Sequence, residues 1–130
     1  MNFNAPPLVH TMGKGETVRG LTCLGDEVFI ACLGKAEVQV FDVDTFSLKR
    51  RLPVPGLSNA FDLASCAQNC NLYSINRYGN DVFKVDVMVN ATNSSCWTVK
   101  GQTYDLSVTG KSRVLVSIIR LSKLKEFTTD

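Results

Sequence analysis

The sequence predicts an all-β chain assembled from repeated four-stranded antiparallel units, and three observations carry that prediction. Runs of β-branched and aromatic residues alternate with polar ones at period two, as in "EVQVFDV" and "DVFKVDV", which is the pattern of half-buried strands. No window shows a sustained helical period with caps at both ends. Finally, Leu21, Leu63 and Leu106 fall at matching points of three similarly arranged segments, at a spacing of about 42 residues.

Taken in order, residues 1–17 stand outside the repeats. Pro6-Pro7 is a poor strand start, although "LVHTM" is a candidate outer strand for a neighbouring sheet. The first unit spans 18–58. A short apolar segment, Gly20-Leu21-Thr22, leads through a turn to a strand over Val28–Cys32, and Gly34-Lys35 turns the chain into "EVQVFDV". Alternation there places Val38, Val40 and Asp42 on one face and Gln39, Phe41 and Val43 on the other. The turn Asp42-Val43-Asp44-Thr45 introduces "FSLKRRLPV". Its charges and Pro53 suit an exposed outer strand that must not pair edge to edge.

The second unit, 59–102, repeats the layout with Asp62-Leu63-Ala64, a strand at Leu72–Ile75, the turn Tyr78-Gly79-Asn80, then "DVFKVDV" and an outer strand "CWTVK". Trp97 in that strand reads as packing between neighbouring units. The third, 103–130, has Asp105-Leu106-Ser107, Val114–Ile118, the turn Leu121-Ser122-Lys123 and "LKEFT". No fourth strand follows. Repeats of this length are those of a four-stranded propeller blade, and propellers close rings of typically 4–8 blades.

The segment "VQVFDVDTFSLKRRLPVPG" followed by "NAFDLASC" resembles the YVTN and NHL-like repeats of β-propellers, and the likeness extends over about residues 18–130. In those repeats a strand ending in Phe-Asp or Ile-Asp is followed by a turn, an outer strand, a Pro-Gly-type link and the next inner strand. Phe41-Asp42 recurs as Val85-Asp86 and weakens to Phe127-Thr128. The Gly-His and Trp-Asp pairs of WD repeats are absent. The resemblance implies propeller-type blades in an incomplete ring: two blades and an unfinished third. A fragment of a longer protein is the favoured explanation, beside a ring closed by several chains and a small open stack of sheets, because blades without neighbours leave apolar faces in water.

Composition narrows the function classes. At 130 residues, 45% apolar and 20% charged, the chain has room for one modest folded domain. A net charge of +2 is too small to call for a nucleic-acid partner or an anionic membrane, and no run approaches the length of a spanning helix. The N-terminus shows no basic start followed by an apolar stretch. Five cysteines, an odd number, read as buried thiols in a reducing compartment, so a cytoplasmic location is expected. The sequons at Asn90 and Asn93 matter only if the chain is secreted.

Chemistry is sparse. His10, the single histidine, lies in the irregular N-terminal stretch and reads as a surface residue rather than a catalytic base. Cys66 and Cys70 flank one hairpin turn and would meet if oxidised, but no second pair completes a zinc set. Asp62 and Asp105 recur at the start of inner strands, as structural turn residues do. Gly13-Lys14-Gly15 lacks the spacing of a phosphate loop. No catalytic residue, cofactor or metal is therefore expected.

The reading that remains is a non-enzymatic interaction or scaffold module with an unidentified protein partner, or with self-association covering exposed blade faces. Candidate contacts are the loop residues Arg77, Tyr78 and Asn80 and the outer-strand residues Lys49, Arg50 and Arg51, with Phe46 beside them. Ordinary turns and a solvated edge are the competing explanations. The alternative is a piece of an enzymatic or ligand-binding propeller whose site needs further blades.

Overall fold

A computed structural model describes residues 4–9, 11, 15–88, 94–119 and 123–129. His10, the Asn90 and Asn93 sequons, the Leu121-Ser122 turn and Asp130 lie outside them.

Eleven strands are present among the described residues. The first sheet holds β1 (Val18–Leu24), β2 (Glu27–Cys32), β3 (Glu37–Asp42) and β4 (Leu48–Pro53). The second holds β5 (Ala60–Cys66), β6 (Asn71–Asn76), β7 (Asp81–Asp86) and β8 (Ser94–Thr98). The third holds β9 (Thr103–Val108), β10 (Arg113–Ile118) and β11 (Lys123–Thr128). Each sheet is an antiparallel meander in chain order, and β1, β5 and β9 are neighbouring inner strands. The described N-terminal residues Asn4–Val9 belong to no strand, and Leu8 and Val9 are exposed.

Hairpin turns follow from side chains that replace backbone partners. Asp42 Oδ1 accepts the N–H groups of Asp44 and Thr45, both at 2.9 Å, and Asp86 Oδ1 accepts that of Met88 at 2.9 Å. This is the physical content of the Phe-Asp and Val-Asp pairs: the strand ends where its carboxylate captures the turn. Thr109 Oγ1 does the same for Lys111 and Arg113 between β9 and β10.

The sheets stack face to face. Period-two alternation gives each sheet one face toward the preceding sheet and one toward the next. Phe29, Ala31, Val38 and Val40 of the first sheet meet Leu63, Leu72, Phe83 and Val85 of the second, with Val54, Leu57 and Ala60 of the connecting link. Tyr73, Ile75 and Val82 of the second sheet meet Leu106, Val114, Val116 and Ile118 of the third. Trp97 leans on both Tyr73 and Phe127, with ring centroids 6.1 and 5.5 Å away, so it packs between sheets as expected.

Gly20 is required where β1 crosses β5. A Cβ there would stand 2.6 Å from Leu63 Cβ and 2.8 Å from its backbone nitrogen. Gly56 serves the link: its φ of +89° suits glycine, and a Cβ would stand 3.0 Å from the Phe83 ring.

The two ends of the stack differ. The positions that face onward become more polar with each sheet: Phe29, Ala31, Val38, Val40; then Tyr73, Ile75, Val82, Lys84; then Leu115, Ser117, Leu124, Glu126. At the other end, Val28, Ile30, Cys32 and Phe41 form a buried cluster with Val43 and Phe46 against it.

Candidate functional site

Each inner strand carries an irregularity at the same place. Pairing with the second strand of each sheet skips Arg19 in β1 and Phe61 in β5, and slips between Thr103 and Leu106 in β9. A bulge gives one strand an extra residue and re-aims its side chain. The side chains concerned, Arg19, Phe61 and Tyr104, stand two positions before the recurring leucines and lie side by side at one end of the inner strands.

Together with Arg77, Tyr78, Gln102, Thr103 and Ile119 they line a cavity of about 300 Å³. The Arg19 guanidinium lies 4.3 Å from the centroid of the Phe61 ring, and the Tyr104 ring is 5.5 Å from the same ring. Arg77 stands 4.7 Å from the Tyr78 centroid and 5.9 Å from that of Phe61. Two cations therefore share one aromatic ring. Such cation–π contacts contribute about 0.5–1 kcal/mol each at exposed sites.

The turn carrying Arg77 and Tyr78 is tied down on both sides. Asn76 Oδ1 accepts the N–H groups of Ser58 and Asn59, both at 2.9 Å, and its Nδ2 donates to Gly56 O at 3.0 Å. Arg77 N–H donates to Asn59 O at 2.8 Å, while Gly79 O accepts from the Thr103 N–H at 3.0 Å. Tyr78 has φ of 65°, a left-handed backbone in a residue other than glycine, and remains exposed. The cavity is a pre-formed feature held by backbone hydrogen bonds.

Asp62 follows Phe61 in β5 and ties neighbouring inner strands together. Sequence alone suggests a turn residue, but Asp62 lies within β5 and its half-buried carboxylate bridges two inner strands. Oδ1 accepts Leu63 N–H at 2.8 Å and Oδ2 accepts Leu106 N–H at 2.7 Å. Burial pushes its pKa above the ordinary 3.8, with the negative charge of Asp105 adding to the rise. The two N–H bonds and the charge of Arg19 oppose it.

The other residues expected from sequence are placed differently. Lys49 Nζ is 3.0 Å from Glu27, Arg50 makes a two-pronged contact with the same carboxylate, and Arg51 is 2.7 Å from Glu37. The hydrogen bond from Arg50 is the main reason that Glu27 is held below its ordinary range. The basic triplet thus bonds across its own sheet. Asn80 is exposed and away from the cavity, with its carbonyl accepting Val99 N–H at 2.6 Å. Of the expected contacts, Arg77 and Tyr78 belong to the cavity. Arg19, Phe61 and Tyr104 were not singled out, although their common offset from the repeated leucine marks them as equivalent.

Among the described residues no three His, Cys, Asp or Glu side chains gather at metal-binding distance, and no disulfide joins the cysteines. No helix among those residues is long and apolar enough to cross a membrane.

The sequence matches no family model and no curated protein sequence. Solved structures do match the fold. Hydrazine synthase of Kuenenia stuttgartiensis superposes with a TM-score of 0.74 at 15% identity, over 93% of this chain and 35% of that one. Virginiamycin B lyase of Staphylococcus aureus gives 0.67 at 10% identity, over 92% and 44%. The Swd1 β-propeller domain of Myceliophteria thermophila gives 0.66 at 13% identity, over 93% and 41%. The chain thus spans well under half the length of these three. At such identities the likeness is one of fold: propeller-type blades, here three antiparallel sheets in an unclosed stack.

Proposed function

We propose that this chain is a protein-interaction module, part of a longer propeller of the YVTN or NHL-like kind, and that it recognises its partner at the Arg19–Phe61–Arg77–Tyr78–Tyr104 cavity. One observation carries the reading. Among the described arginines, Arg50, Arg51 and Arg113 are each bound to a carboxylate, whereas Arg19 and Arg77 rest on aromatic rings without an ion pair. Tyrosine and arginine at a rigid concave site are the residue types that dominate binding hot spots. The groups lining the cavity are ring faces, guanidiniums, hydroxyls and an amide, which is recognition chemistry. Five cysteines, an odd number with Cys23 and Cys96 exposed, suit a reducing compartment such as the cytoplasm. The length of the structural neighbours supports membership of a larger ring.

A second reading, a ligand-binding or enzymatic propeller completed by further blades, is favoured by the position of the cavity at the inner-strand ends, where several blades converge.

The test is photo-crosslinking from position 78, with position 45 in the β3–β4 turn as control. A discrete protein adduct at 78, missing at 45 and lost in R77A, supports the interaction module. Equal labelling at both positions, or capture of a small metabolite alone, overturns it.

A further inference from the structure

We infer that the cavity is a receptor for a peptide carboxylate. The inference rests on the interaction reading and names the chemistry that the partner presents.

A guanidinium lying over an aromatic ring has its face occupied, but its N–H donors radiate in its own plane and stay free. Arg19 lies over Phe61 and Arg77 over Tyr78, and neither guanidinium bonds a carboxylate among the described residues. Because Arg77 also lies 5.9 Å from Phe61, the two forks flank a common space. A carboxylate offers about four lone-pair directions on two oxygens, which matches donors arriving from two sides. Ring surfaces of Phe61 and Tyr104, 5.5 Å apart, form an apolar wall beside the cations. That wall suits the methylene stem of an acidic side chain or the last residue of a chain.

The apolar wall beside the cations favours a carboxylate carried on carbon over inorganic phosphate. Asp62, next to Phe61 in β5, is close enough to Arg19 and Asp105 for their charges to act on it. The two carboxylates offset part of the positive field. The room available, about 300 Å³, holds one residue-sized group.

The experiment titrates the full chain, followed by backbone and arginine side-chain NMR shifts, with three N-acetylated hexapeptides. One is amidated and carries two central glutamates. One has a free C-terminus and no acidic side chain. The third is amidated with glutamines in place of the glutamates. At least one carboxylate peptide is expected to bind with shifts centred on Arg19, Arg77 and Tyr104, and the glutamine peptide at least about tenfold more weakly. Whichever carboxylate arm binds identifies side chain or terminus as the source. R19Q and R77Q are each expected to lose about tenfold. R77K, which keeps the charge but not the fork, should fall between. Circular dichroism checks the fold, and because Arg77 sits on a surface turn its variants remain informative if R19Q unfolds.

Equal binding of the neutral peptide, unchanged binding by both glutamine variants, or displacement by inorganic phosphate at lower concentration than by acetate overturns the assignment. Crosslinking from position 78 without carboxylate binding would remove this inference and leave the interaction module standing. Carboxylate binding without a protein adduct would do the reverse.

Discussion

The two seams between sheets use the same repeat geometry and close it with different chemistry. Between the first and second sheets the buried contact is an apolar cluster, and Gly20 lets the inner strands approach until a methyl group would not fit. Thr22 and Ser65 share a 2.7 Å hydrogen bond at that seam's inner edge. Between the second and third sheets, the position of Gly20 is taken by Asp62, which reaches across to Leu106 N–H. Polar bridges continue outward: Ser112 Oγ lies 2.6 Å from Gln68 Oε1, Asn69 Nδ2 donates to Thr129 Oγ1 at 2.6 Å, and Lys84 Nζ donates to Thr129 O at 3.0 Å. The first seam is therefore closed chiefly by apolar packing at a glycine crossing, whereas the second adds hydrogen bonds and charge to its own apolar cluster. Repetition of a backbone plan does not require repetition of the interaction that closes it.

The largest expected effect tests the apolar seam. Phe29 is fully buried there, and Phe29→Ala should destabilise by about 3–5 kcal/mol through lost transfer energy and the cavity left behind. At the repeat-equivalent position of the third sheet, Leu115 is half-buried on the outward face, and Leu115→Ala should cost clearly less. Denaturant midpoints at constant slope would measure both. Similar losses at the two positions would break the distinction between the seam and the open face. Next in size is Gly20→Ala, which overpacks the crossing of β1 and β5 and should cost about 1–3 kcal/mol. Alanine tolerated without loss would mean that the strands can separate.

Charge distinguishes the seams in the opposite direction. Asp62→Ala leaves the N–H groups of Leu63 and Leu106 without their carboxylate acceptor and should cost about 1–3 kcal/mol. The pH dependence sharpens this. The Asp62 carboxyl is raised above 3.8, so its contribution is fully present below that pH and is lost as pH rises through the raised value. The stability of the native chain relative to Asp62→Asn should therefore fall as pH rises from 3.8 through the raised value. Glu27 in the first sheet is lowered from 4.5, and its contribution is present above that pH and lost as pH falls. Relative to Glu27→Gln, the native chain should gain stability as pH rises from the lowered value to 4.5 and stay level above it. Two variants with the same pH slope would contradict the assignment.

The same contrast explains what could be read from the sequence. Strand alternation and turn residues are local, so the eleven strands follow from runs such as "EVQVFDV", and the meander order follows from short turns. The Asp42 and Asp86 turns were visible as a repeated pair because donor and acceptor are close in sequence. The site was only half legible. Arg77 and Tyr78 stand in a turn, where exposure is expected, but Arg19, Phe61 and Tyr104 are aimed into the cavity by bulges, and alternation alone does not show an extra residue. Lys49, Arg50 and Arg51 were visible as exposed charge, whereas their carboxylate partners Glu27 and Glu37 come from other strands of the sheet and depend on register. Asp62 was hidden for a related reason: its partner Leu106 belongs to the next repeat.

The smallest expected effect lies in the polar seam and carries the opposite sign. Tyr73 is fully buried, and its hydroxyl makes no hydrogen bond with the described residues. Burial raises its pKa, and the Asn71 side chain, near enough to oppose that rise, does not reach bonding geometry. Trp97 Nε1, beside it in the same cluster, is also buried without a partner. A seam stitched by polar groups has here left two of them unmatched, at a cost that apolar replacement removes. Tyr73→Phe keeps the ring that packs on Trp97 and deletes the unmatched oxygen, so it should be neutral or stabilising by up to about 1 kcal/mol. A loss of stability of that size would instead place a hydrogen-bond partner, a bound water or the Asn71 amide, on the hydroxyl. Trp97 Nε1 would then be the one buried side-chain polar group left unmatched in that seam among the described residues.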